Sequence, residues 1–154
     1  MLSEMYKKIV VATDGSENAN KAAASAVEMA KMTGAKLFAL NVLPYIPHLS
    51  YFGVPMEPPE AVSFEEKEYE ARLEKDGKKI LDVVRDMAEK AGVGVETVMV
   101  KGHPGSEIMN FAQKNDIDLI VMGTLGRSGI DRLLMGSVAE DVVRNAKTRV
   151  MIVK

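Results

Sequence analysis

At 154 residues, 47% hydrophobic and 27% charged with a formal net charge of −2, the chain suits one compact domain over residues 1–154, burying roughly two-thirds of its unfolded surface. The absence of cysteine excludes disulfides, thiolate chemistry and zinc–thiolate sites, and acids interleaved with bases argue against a nucleic-acid partner, which needs a clustered basic face. No apolar run reaches the ~20 residues of a membrane span, and Met1 to Tyr6 lacks the pattern of a secretory leader, so a cytoplasmic location without membrane contact is expected.

Tyr6 to Thr13 reads as a first strand, its β-branched run Ile9 to Val11 suiting a central place in a sheet. Asp14-Gly15-Ser16 ends it, and Asp14 or Ser16 can cap the helix that follows, with Glu17 three residues after Asp14 as in a capping box. Ala19, Ala23, Ala26, Val27 and Ala30 recur at helical spacing up to Gly34, a small-residue face able to pack close to a sheet. Ala35 to Leu43 is a second strand, stopped by Pro44. Residues 44–62 form a proline-rich insertion with scattered aromatics and no regular period, and long loops of this kind tend to be functional or flexible. A long helix follows from about Ser63 to Ala91, carried by Leu73, Ile80, Leu81, Val84, Met87 and Ala88. Gly77 in its middle costs about 1 kcal/mol relative to alanine and marks a bend or a close contact.

Val95 to Val100 is the third strand, and Gly102-His103-Pro104-Gly105 turns it into a helix whose buried side is Ile108, Phe111 and Ala112, with Pro104 near the first helical position. A fourth strand, Leu119 to Met122, breaks into Gly123, Gly126 and Gly129 before Gly136-Ser137 opens a further helix. Val150 to Val153 closes the chain as a fifth strand. Alternating strands and helices force parallel pairing and a doubly wound sheet, in which ligands sit beyond the carboxyl ends of strands where the strand order reverses. Two such ends carry suitable chemistry: Ala12 to Gly15, and Met122-Gly123. If the first and fourth strands are neighbours, those loops face each other. A glycine loop running into a helix start can turn backbone N–H groups inward, where the helix adds partial positive charge. A phosphate is the natural occupant. Ser137 is ambiguous there, since serine is also a favoured cap residue.

Lys8-Ile-Val-Val-Ala-Thr-Asp-Gly-Ser16, Gly102-His-Pro-Gly105, and Gly123-x-x-Gly126 followed after nine residues by Gly136-Ser-Val-Ala139 occur in that order. Together they resemble the ATP-binding members of the universal stress protein family, over essentially the whole chain apart from the proline-rich insertion. The resemblance implies a Rossmann-like, adenine nucleotide alpha hydrolase-like domain with a five-stranded parallel sheet of order 3-2-1-4-5. It also implies a homodimer through the C-terminal strand Val150 to Val153, and bound ATP with magnesium or manganese between its phosphate oxygens. Carried over residue by residue, Ala12 and Thr13 would line the base pocket, Asp14 would contact the ribose, and Val42 would meet the adenine. Met122 and Gly123 would flank the nucleoside, while Gly126, Arg127, Gly136, Ser137 and Val138 would hold the phosphates. One departure is Arg149, where relatives carry a proline; its N–H can alter pairing at the start of the last strand.

The function implied is a nucleotide-dependent sensor or molecular switch in stress response, with ATP shifting the conformation or partner choice of a dimer. No catalytic residue is assigned. A P-loop is absent, no histidine or lysine is poised beside the glycine loop as a general base, and His48 and His103 lie apart with no carboxylate at metal spacing. Two other readings are a slow ATP-hydrolysing or nucleotidyl-transfer enzyme, with an acceptor site in Pro44 to Pro59, and a ligand-free dimerising scaffold. The intact glycines argue against the scaffold.

Overall fold

The computed structural model describes residues 1–45, 64–125 and 135–154. Their elements are α1 (Leu2–Met5), β1 (Lys8–Ala12), α2 (Glu17–Thr33), β2 (Lys36–Leu43), α3 (Phe64–Lys90), β3 (Val95–Lys101), α4 (Pro104–Lys114), β4 (Leu119–Gly123), α5 (Ser137–Asn145) and β5 (Arg149–Val153). Only α1, a single turn with no periodic pattern to announce it, goes beyond the elements expected. The remaining boundaries differ from expectation by a few residues at most. Gly123 belongs to β4, and Arg149 opens β5 opposite Leu119.

The five strands form a parallel sheet in the order β3-β2-β1-β4-β5, the order implied by the resemblance. β1 and β4 are neighbours, with Ile9, Val10 and Val11 opposite Leu119, Ile120 and Val121. The chain leaves β1 towards β2 on one side and returns to β4 on the other, so the strand order reverses between β1 and β4, and their loops lie side by side.

Period-two alternation along the strands divides the buried side chains between two faces. Ile9, Val11, Leu37 and Ala39 pack with the alanine face of α2 and with Leu81, Val84 and Ala88 of α3. Val10, Phe38, Leu40 and Ile120 pack with Ile108 and Ala112 of α4 and with Ala139 and Val142 of α5. Phe111, on the expected buried side of α4, joins this second cluster half-buried and meets Phe38 edge-on at 5.6 Å between ring centroids. Each fully buried Ile or Leu contributes about 1.5–3 kcal/mol relative to exposure.

The outer strands are unlike. β3 carries exposed charged residues at Glu96 and Lys101; Glu96 pairs with Lys36 at 2.8 Å, and Lys101 faces Glu70 at 3.4 Å and Glu74 at 3.5 Å. After Arg149, β5 is Val150-Met-Ile-Val153, half-exposed throughout.

Candidate functional site

At the carboxyl edge of the sheet, over the switch between β1 and β4, lies a cavity of about 370 Å³, within the range of small-molecule sites. Its strand side is Ala12 from β1, Leu40 and Val42 from β2, and Met122 and Gly123 from β4. Thr13 and Asp14 line it where β1 turns into α2. Pro104 and Ile108 of α4 come from the other side, and Gly136, Ser137 and Val138 from the start of α5. Nine of the residues singled out from the sequence are therefore gathered on one cavity: Ala12, Thr13, Asp14, Val42, Met122, Gly123, Gly136, Ser137 and Val138. Gly126 and Arg127 lie outside the described residues.

The turn after β1 is built from its own polar side chains. The Thr13 N–H donates to the Leu40 carbonyl at 2.9 Å, so Thr13 stays docked on β2 beyond the last strand residue. Its hydroxyl accepts from the Gly15 N–H at 3.2 Å, and the Asp14 carboxylate accepts from the Ser16 N–H at 2.9 Å. Gly15 takes φ +79°, a value costly for a residue with a Cβ. Ser16 is the helix cap, its hydroxyl accepting from the Ala19 N–H at 3.2 Å. Of the two candidates it is Ser16, and Glu17 is the first helical residue, so no Asp14–Glu17 capping box forms.

On the opposite side, Thr124 ties three elements together. Its N–H donates to the Val153 carbonyl at 3.2 Å, its carbonyl accepts from the Gly136 N–H at 2.6 Å, and its hydroxyl accepts from the Asn18 amide at 3.4 Å. The start of α5 is thereby fixed beside the end of β4. Gly136 is the cap residue of α5 and Ser137 the first helical residue; glycine has no side chain with which to cap this terminus, and no side-chain cap hydrogen bond is made there among the described residues. The serine hydroxyl thus does not play the cap role that its type suggested.

The other helix pointing its N-terminus at the cavity is treated differently. α4 begins with Pro104, which has no N–H to satisfy, and the Asp141 carboxylate of α5 sits against Gly105 where a Cβ would stand. Asp141 is held there by the Asn145 amide, 2.7 Å from its Oδ1. A carboxylate at a helix N-terminus offsets the partial positive charge of the helix. Thr124, Leu125, Leu40, Pro104 and Ile108 also line the cavity and went unnoticed in the sequence; Leu40 and Ile108 read there simply as core, and Pro104 as a helix start.

The cavity is apolar along the strands, with one carboxylate among its described lining residues, Asp14. No group of three or more His, Cys, Asp or Glu among the described residues is placed to hold a metal, and among them no helix is long and apolar enough to cross a membrane. Lys101, at the end of β3 and outside this cavity, has its pKa raised chiefly by the charge of Glu70, with Glu74 adding to it.

Comparison with known proteins agrees with this architecture. A family model described as universal stress protein family matches residues 5–154. Universal stress protein MJ0531 of Methanocaldococcus jannaschii is 41% identical over 150 residues, which is 97% of this chain and 83% of that protein. The solved structure of the hypothetical protein MJ0577 superposes with a TM-score of 0.79 at 27% identity, covering 97% of this chain and 96% of that one. A universal stress protein crystallised in complex with cAMP superposes at 0.65 with 30% identity, covering 96% of both chains. Motif order, sheet topology and these matches agree: the chain belongs to the universal stress protein family.

Proposed function

We propose that the cavity binds an adenine nucleotide, with ATP as the occupant that uses all of it, and that the protein acts as a nucleotide-dependent switch in stress response. The observation that carries this reading is the start of α5. It is an anchored helix N-terminus whose cap residue, Gly136, has no side chain to close it, opening on a cavity whose strand side is apolar. Phosphate oxygens would take the N–H groups of Ser137 and Val138, where the helix dipole favours negative charge, and the base would lie on Ala12, Val42 and Met122. Asp14, at the ribose position, is the lining carboxylate. Gly126 and Arg127 complete the phosphate side in this proposal. The relative crystallised with cAMP supports a nucleotide as the ligand class.

A divalent cation such as magnesium would be held through phosphate oxygens, and it supplies neutralisation of their charge. The chain's own part is to bind and orient. Two copies would pair through β5, whose Val150 to Val153 run carries no charge.

Calorimetry with ATP and magnesium on nucleotide-stripped protein, together with a phosphate-release assay on the same sample, tests the reading. Saturable binding without appreciable turnover is expected. Sustained turnover would make the protein an ATPase instead, and no binding would sink the nucleotide assignment.

A further inference from the structure

Asn41 is out of place in its surroundings. Leu37, Ala39 and Leu43, at alternate positions of the same strand, share its face of the sheet, and all three are buried, as is Asn41 at 4% exposure. A buried amide among apolar neighbours needs a hydrogen-bonding reason. Its Nδ2 donates to the Thr13 carbonyl at 2.9 Å. That carbonyl is only an acceptor, so the amide orientation is dictated and Oδ1 must face the other way. Oδ1 has no hydrogen-bond partner among the described residues. It points at α3, at the one place in that helix where a Cβ is missing: a Cβ on Gly77 would stand 2.8 Å from Oδ1 and 3.0 Å from Cε of Met99.

We propose that Asn41 is a positioning residue for the cavity and that Gly77 is the seat that lets it act. The inference rests on the nucleotide reading of that cavity. The regular pairing of β1 with β2 ends at Ala12 and Leu40. Beyond it, Thr13 is held on β2 through its N–H to Leu40 and through its carbonyl to the side chain of Asn41. A side chain in that place fixes the peptide between Thr13 and Asp14 from the far side of the sheet, while Val42 remains on the cavity side. Asp14 and the Gly15 turn are thus oriented by a residue that does not line the cavity. The glycine that weakens α3 is explained by the same contact, because any larger residue would push the amide off the Thr13 carbonyl.

The test compares wild type with Asn41→Ala, Gly77→Ala and the double variant by thermal midpoint, by ATP affinity with magnesium, and by the amide resonances of Asp14 and Gly15. Each single variant is expected to weaken ATP binding by about tenfold or more. Each should also shift the Asp14 amide, whose nitrogen shares a peptide with the Thr13 carbonyl. The double variant should bind ATP as weakly as Asn41→Ala while melting above Gly77→Ala, because its new Cβ takes up space the amide has vacated. A purely structural role would restore binding along with stability, and that result overturns the proposal. Gly77→Ala retains Asn41 and only displaces it, so it reads the same contact if Asn41→Ala does not fold. Wild-type affinity in folded single variants overturns the inference and leaves the nucleotide reading standing, whereas a wild-type protein that binds no ATP overturns both.

Discussion

Two helices, α4 and α5, present their N-termini to the same cavity, and the chain handles them in opposite ways. α4 starts on a proline and receives the Asp141 carboxylate over Gly105; α5 starts on Gly136, pinned to Thr124, with no side-chain cap. A third terminus, that of α2, is closed by the hydroxyl of Ser16. Of these three helix ends, one is met by a carboxylate, one by a hydroxyl, and one begins on a glycine that has no side chain to offer. The difference teaches that local charge balance is achievable in this fold, and in the proposed reading the glycine at the start of α5 leaves its N–H groups to a phosphate.

The sharpest way to break the comparison is to close α5. Gly136 has φ −61° and ψ 154°, which an ordinary residue adopts readily, and aspartate is a good cap. Gly136→Asp is expected to leave the thermal midpoint unchanged or slightly raised while weakening ATP binding by about 100-fold, or ~2.7 kcal/mol. Retained affinity in that variant would remove α5 from the phosphate site. Opening α4 is the reciprocal change. Asp141→Asn should cost about 1 kcal/mol of stability in a denaturant titration, with ATP affinity within about threefold of wild type.

Gly105→Ala, whose new Cβ would force the same carboxylate away, should cost a similar ~1 kcal/mol. The two changes together should cost little more than either alone, because both remove one contact. Full additivity would show that Asp141 and Gly105 act separately. The smallest effect is expected at α2: Ser16→Ala should lower stability by about 0.5–1 kcal/mol, with a minor change in binding, since that terminus is closed by its own side chain.

The contrast between helix ends also marks what could be read in the chain beforehand. Strands and helices were legible because burial on both faces gives central strands continuous apolar runs, as in Ile9 to Val11 and Leu119 to Met122, and gives helices a period of 3.6, as in Ala19 to Ala30. Parallel pairing followed from alternation, whereas the approach of β1 to β4 was only a hypothesis from the residues, and the strand order came from the family resemblance. Caps were legible only to within a residue or two: Ser16 was one of two candidates with Asp14, and Gly136 rather than Ser137 caps α5, because cap identity depends on dihedral angles that residue type biases weakly. Gly77 announced a bend or a close contact, without deciding between them or naming a partner. Asn41, Asp141 and Thr124 act across the fold, between residues far apart in the chain, and no local pattern reports such a meeting. The adenine half of the site had no signal of its own in the residues and came from family resemblance.

The unlike edges of the sheet bear on assembly. An unprotected strand edge is a template for further pairing, and a sheet with two such edges can grow without limit. Here the charges of β3 lie at one edge and the uncharged run of β5 at the other. When β5 of one copy meets β5 of another about a two-fold axis, the same surface is used on both sides and the charged strands are left facing outward. Such a contact is isologous and closes on itself. In that proposed pairing the arrangement of edges would set a stopping rule: association would end at a pair, and the strand order that places the cavity would also block growth into a fibre.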